Sequence, residues 1–243
     1  MSDNSTPPSG LKRAVNTVMG VSPDEKSQPS QASSDRIDWL AIGQHVTGTL
    51  AQMAFLLAAL WALEWLIAPA LPESVQVYPA IAFFILLSIR SRVFSPLDNT
   101  RSRKTYSNVV RPDWAPPPIA FPFVWMGIGV LRVVASYLVW QAVGQDYLAL
   151  PLCVFVIHLA LGDTWNTIFT VEGRLGAAVP VVLVGPLASA IAVMVLYWQV
   201  VPLAGGLLVP MCLWLGVASA LVIAIWQLNG REPLYPRQLY PHQ

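Results

Sequence analysis

Charge is scarce in this chain. Asp, Glu, Lys and Arg make up 11% of its 243 residues and nearly cancel to a net +1, so no broad basic face exists to hold a nucleic acid. Cysteine is scarcer still. Cys153 and Cys212 both sit inside apolar runs, without the neighbouring ligands that a metal site needs, and read as inert packing residues. The three histidines, His45, His158 and His242, are far apart, and no Ser-His-Asp set, nucleophile elbow, phosphate loop or pair of accessible carboxylates can be found. The balance goes against an enzyme. The first 36 residues also lack an apolar core of signal-peptide type, and Asp3, Asp24, Glu25 and Asp35 argue against a transit peptide. They read as a disordered tail rich in Ser, Pro, Asp and Lys.

What is abundant is apolar length. Hydrophobic residues make up 55% of the chain, and mean hydropathy is +0.56. Six apolar segments follow the tail, at roughly 42–68 (A), 77–92 (B), 119–143 (C), 148–171 (D), 176–199 (E) and 205–228 (F). The chain therefore reads as an all-α integral membrane protein with the lipid bilayer as its first partner. The links after A, C and E hold almost no basic residues. The link between B and C carries Arg101, Arg103, Lys104 and Arg111, and Arg174 and Arg231 follow D and F. By the positive-inside rule both termini and the 93–118 loop lie on the cytoplasmic side. Trp39, Trp61, Trp65, Tyr78, Trp140, Tyr147, Tyr197, Trp198 and Trp226 fall near segment ends, where interfacial anchoring is expected. Glu64, close to the end of A, reads as solvated.

Two charges interrupt the apolar spans, Arg132 in C and Asp163 in D. A lone charge at mid-bilayer costs about 3 kcal/mol on the lenient scale, so both should face inward. Counting from the turn between C and D leaves them offset by ~6 Å along the axis, which makes an intramembrane ion pair plausible. Trp125, Gly129, Arg132 and Ser136 share one face of C; Asp163, Asn166, Thr167 and Thr170 share one face of D, with His158 before them. This polar seam is either glue between helices or the lining of a cavity in which Arg132 meets an anionic ligand group.

A longer pattern names a family. Tyr106, then Arg111-Pro112-Asp113-Trp114-Ala115-Pro116-Pro117, Val124-Trp125 and Ser136-Tyr137-Leu138-Val139-Trp140 resemble the first loop and second helix of the TspO/MBR family, the tryptophan-rich sensory or translocator proteins. Trp165 with Ile168-Phe169 is similar to that family's third helix. Gln199-Val200, Pro202-Leu203-Ala204, Leu207-Leu208, Pro210, Trp214-Leu215 and Trp226 are similar to the end of its fourth and to its fifth. The resemblance spans about residues 77–230. It implies a TspO-like bundle of five transmembrane helices, B to F, with A as an additional N-terminal helix. The organisation is then tail 1–36, added helix 37–72, bundle 73–230 and C-terminal tail 231–243.

The resemblance also implies a function. Family members bind porphyrins, haem and related hydrophobic small molecules under the first loop. Carried over by position, the ligand contacts are Tyr106, Trp114, Trp125 and Trp214, to which Trp165 and Arg132 are added. No cofactor is required, and a tetrapyrrole is the ligand implied. This sequence departs from the family at Thr105, where a Trp is usual, at Asn166-Thr167, and over Val222–Gln227, which lacks the Tyr-plus-basic pattern associated with sterol recognition. Binding or transport of such a ligand is the leading reading. The alternatives are a structural or assembly subunit of a larger membrane complex, or a homodimer, joined through 37–72, and a porphyrin-degrading enzyme. The host membrane reads as a bacterial inner membrane, with a plastid membrane as the alternative.

Overall fold

The computed structural model describes residues 32–97 and 108–239. Six helices follow in the places the hydropathy predicts. They are α1 (Trp39–Ala70), α2 (Val77–Arg90), α3 (Ala120–Ala142), α4 (Leu150–Val171), α5 (Leu175–Val200) and α6 (Pro202–Leu228). Five are long and apolar enough to cross a bilayer. Helix α2 has 14 residues and rises only about 21 Å, less than the ~30 Å of hydrocarbon. The chain is a multi-pass, all-α integral membrane protein.

The helices pack in a ring that does not follow chain order. Helix α3 lies against α2 and α6, α6 against α5, α5 against α4, and α4 against α1, whereas the consecutive pair α3 and α4 touch little. Close approach of α5 and α6 depends on Gly205. A Cβ there would lie 2.6 Å from the Trp198 backbone Cα, a distance that neither helix can relieve without moving. Prolines shape two spans. Pro180 and Pro186 lie within α5 around a π-helical turn at Leu183–Leu187, and Pro210 lies within α6; each lacks the N–H that the preceding turn would use. A second π-turn, Thr167–Val171, ends α4.

Helix α1 is bound to the bundle along its whole length. It starts at Asp38, whose carboxylate accepts from the Ala41 N–H at 3.0 Å, as an N-cap should. Its inward stripe of Ala41, His45, Thr49, Gln52, Leu56 and Leu60 is buried. Four of its polar residues reach α4 and the turn after it: Asp38 to Arg174 at 2.9 Å, His45 to Glu172 at 2.6 Å, Thr49 to Thr164 at 2.5 Å and Gln52 to Asp163 at 2.7 Å. Interhelical hydrogen bonds of this kind contribute ~0.6–2 kcal/mol each in a bilayer. At the opposite end Glu64 is half-buried and accepts from the Tyr147 N–H at 2.8 Å. That replaces its reading as a solvated residue, because the turn between α3 and α4 folds back over the end of α1. Burial, together with the Glu64 carboxylate, pushes the Tyr147 phenol up to about 12.

Two further expectations change. Residues Ala32–Ile37, read as the end of the tail, form a strand β1 that pairs antiparallel with β2, Arg237–Leu239. A three-residue strand carries no periodic signal, and its partner is two hundred residues away in sequence. The rest of the tail lies outside the described residues. Trp140, Tyr147 and Tyr197 are not interfacial anchors but fully enclosed core side chains, whereas Trp39, Trp61, Trp65, Tyr78 and Trp198 are exposed as anchors would be. Nearness to a segment end misled here because neighbouring elements cover that end.

Two outcomes follow. Gly205→Ala should destabilise the protein in detergent by a few kcal/mol, while Gly216→Ala, with nothing within 4 Å of the added methyl, should be neutral in the same thermal assay. Burial works to raise the Asp38 carboxyl, but the Ala41 N–H and Arg174 outweigh it and hold it below the usual carboxylate range. A depressed folded value means stabilisation that is complete above the unfolded value of about 3.9 and is lost as pH falls through the folded one. Protection against hydrogen exchange at 36–42, taken relative to the intrinsic exchange rate at each pH, should accordingly fall on acidification below about pH 4, and in Asp38→Asn the acid dependence due to this residue should vanish.

Candidate functional site

The residues singled out by sequence fall on three helices and one loop. Tyr106 lies outside the described residues. The loop from 108 to 119 returns to the bundle through two short turns, Ala115 N–H to Pro112 C=O and Ala120 N–H to Pro117 C=O, both at 2.9 Å. Val109 and Ala115 from this loop pack on a hydrophobic cluster of α4, α5 and α6 that includes Phe169, Val182, Leu221 and Ile225. Trp114, in the same loop, is 53% exposed and does not join them.

Phe121 and Trp214 meet at the border between that cluster and the larger core cluster, with Trp165 on one side of it and Trp125 on the other. Phe121 and Trp165 pack on the first, and Trp125 and Trp214 on the second. Phe121 meets Trp214 edge-on with ring centroids 5.5 Å apart, and Trp165 stacks on Phe169 at 5.8 Å with the planes 6° apart. These are favourable aromatic geometries. All three tryptophans are half-buried. Trp214 also walls a groove of about 390 Å³ between α3 and α6, otherwise lined by aliphatic, glycine and proline residues such as Val124, Ile128, Leu131 and Pro210. That volume is in the range of small-molecule sites.

The indole N–H groups of Trp165 and Trp214 are buried and have no acceptor among the described residues. A buried donor left unpaired is costly, about 1–3 kcal/mol, and native structures rarely leave one. The third such indole, Trp140, differs in its setting. It lies about 22 Å along α3 from Trp125, between the rings of Tyr137 and Tyr147, whose faces are weak acceptors.

Arg132 and Asp163 are both buried, at 8% and 7% exposure, but the bonds described for them run to different neighbours. Asp163 accepts from Gln52 Nε2 and Ser91 Oγ, each at 2.7 Å. Arg132 lies 5.7 Å from the Trp125 ring and donates to Met211 Sδ and His158 Nε2, both at 3.1 Å. Arg132 does reach α4, but at His158, five residues before Asp163. Because arginine only donates, His158 Nε2 must accept. Its Nδ1–H then donates to Ser189 Oγ at 2.9 Å, and the Ser189 hydroxyl donates to the Gly185 carbonyl at 2.6 Å. The sequence signalled His158 through its place on the seam; nothing in it signalled Ser189 or Met211. Among the described residues no group of three His, Cys, Asp or Glu side chains could hold a metal ion.

Comparison with known proteins matches this core. The TspO/MBR family model covers residues 80–227. The protein CrtK of Rhodobacter capsulatus is 33% identical over 131 residues, 53% of this chain and 81% of its own. The translocator protein of Sus scrofa is 30% identical over 163 residues, 64% of this chain and 95% of its own. The tryptophan-rich protein TspO of Chlorobaculum tepidum is 30% identical over 131 residues, 51% and 78% of the two chains. All three similarities leave more than a third of this chain unmatched, and the family model begins at residue 80.

Proposed function

Since this chain belongs to the TspO/MBR family, we propose that it binds, and carries across or within its membrane, a tetrapyrrole or similar flat hydrophobic ligand held at the Phe121, Trp125, Trp165 and Trp214 border. The observation that carries the reading is the pair of buried indole donors at Trp165 and Trp214, which have no acceptor among the described residues. A ligand with an apolar body and a few acceptor atoms answers both needs, since its faces stack on the rings and its acceptors take the two N–H groups. Arg132, beside Trp125, suits an anionic group such as a propionate. Tyr106 and Trp114 contribute from the loop, which lies on the cytoplasmic side of a bacterial inner membrane by its basic charge.

A second reading, that the protein assembles with itself or with a larger membrane complex through 37–72, draws on α1. With its inner face committed to α4, its outer face leaves Leu50, Phe55, Trp61 and Trp65 exposed. Purification in mild detergent separates the two readings: co-migration with a large complex supports assembly, and a free monomer opposes it.

Protoporphyrin IX titrated into the protein in nanodiscs should quench tryptophan fluorescence saturably. Trp165→Phe and Trp214→Phe, which keep the ring and remove the donor, should each raise Kd about threefold to tenfold, as one hydrogen bond of ~0.5–1.5 kcal/mol predicts. Unchanged Kd in both variants, or quenching that never saturates, contradicts the proposal.

A further inference from the structure

The last residue of the α6 end makes a contact that helix capping does not explain. Asn229 closes α6 with its backbone N–H on the Ile225 carbonyl at 3.0 Å, and its side-chain Nδ2 reaches that same carbonyl at 2.7 Å. Local capping ends there. The rest of the amide crosses 119 residues of sequence to Val110, taking the Val110 N–H on Oδ1 at 2.9 Å and donating from Nδ2 to the Val110 carbonyl at 2.8 Å. A carboxamide presents one donor and one acceptor side by side, as a neighbouring peptide in a sheet does, and here it pairs with both backbone groups of one loop residue.

The two sides of this contact differ in firmness. On the α6 side the chain after Asn229 is held by Trp226 Nε1 donating to the Glu232 carbonyl at 2.7 Å, and by the Gly176 N–H on the Glu232 carboxylate at 2.7 Å. On the loop side the Val110 side chain is 59% exposed, so burial of its own side chain holds it little, and the backbone pair with Asn229 adds to the hold that Val109 and Ala115 supply by packing on the cluster. Five residues on, Ala115 packs on the cluster that Phe121 and Trp165 border.

We propose that Asn229 is the positioning residue for the 108–119 loop, a clasp that keeps the loop seated over the aromatic border and so sets how fast a ligand exchanges with the water-facing side. The gating half of this rests on the binding function proposed above; the holding half does not. A clasp acts on both directions of exchange. Its loss speeds entry and exit together and leaves the equilibrium nearly where it was, whereas a residue that only stabilises α6 changes melting and neither rate.

The test uses the full chain in nanodiscs, with hydrogen exchange at Val110 and stopped-flow binding of protoporphyrin IX as separate readouts. In Asn229→Leu, which removes both bonds, Val110 exchange should quicken about tenfold or more, and the association and dissociation rates should rise together with Kd held within about threefold. Asn229→Asp keeps an acceptor for the Val110 N–H but turns a carboxylate oxygen on the Val110 and Ile225 carbonyls, so it should also quicken Val110 exchange; should Asn229→Leu fail to fold, Asn229→Asp carries the comparison alone. Unchanged Val110 exchange overturns the proposal, and quickened exchange with both rates unmoved overturns the gating. If the wild-type protein binds no porphyrin, the binding function fails instead, and Val110 exchange alone decides whether Asn229 holds the loop.

Discussion

In hydrocarbon a polar group has no water to fall back on, and every donor or acceptor buried in this bundle must find its partner inside the protein. The architecture follows from that constraint. Asp163 sits deep in α4 and is served by Gln52 from α1 and Ser91 from the turn after α2, so three separate parts of the chain converge on one carboxylate. Arg132 is served from α4 and α6, through His158 and Met211. Among the described residues Gln52 Oε1, Ser88 Oγ and the Trp140 indole are also buried without a partner, and the Trp165 and Trp214 donors differ from them in lying among the aromatic side chains of the candidate site.

The same constraint gives α1 a meaning that the family comparison leaves open, since the matched region begins at residue 80. A helix held by apolar contact alone could slide or rotate on its neighbour. Helix α1 is fixed in register by Asp38, His45, Thr49 and Gln52, all reaching α4 or the turn beyond it. It covers the polar side of α4 that would otherwise meet lipid, and it is a wall of the bundle as well as an addition to it.

Much of the fold was legible in the sequence because long apolar runs report transmembrane helices directly. All six segments appear within a few residues of their expected bounds, and the π-turns and internal prolines alter their course without ending them. The β1–β2 ribbon was illegible, being too short for any period to register. The site was legible in part. The motifs located Trp125, Trp165 and Trp214 on α3, α4 and α6, but they carried no information about exposure, and Trp114 lies in the loop with half its surface open. The inward placing of Arg132 and Asp163 was legible, whereas the bonds from Arg132 to His158 and Met211 were not encoded in the spacing. Asn229 escaped notice for a related reason. Its significance lies in a pairing with Val110 that no local pattern encodes.

The central claim is that the Trp165 and Trp214 donors are kept for a ligand's acceptors. The most direct test follows the indole ¹H–¹⁵N resonances of the tryptophans while protoporphyrin IX is added to the protein in nanodiscs. The resonances of Trp165 and Trp214 should shift in step with saturation, with the exposed Trp61 unaffected. Saturable binding that leaves both of those resonances in place would contradict the account.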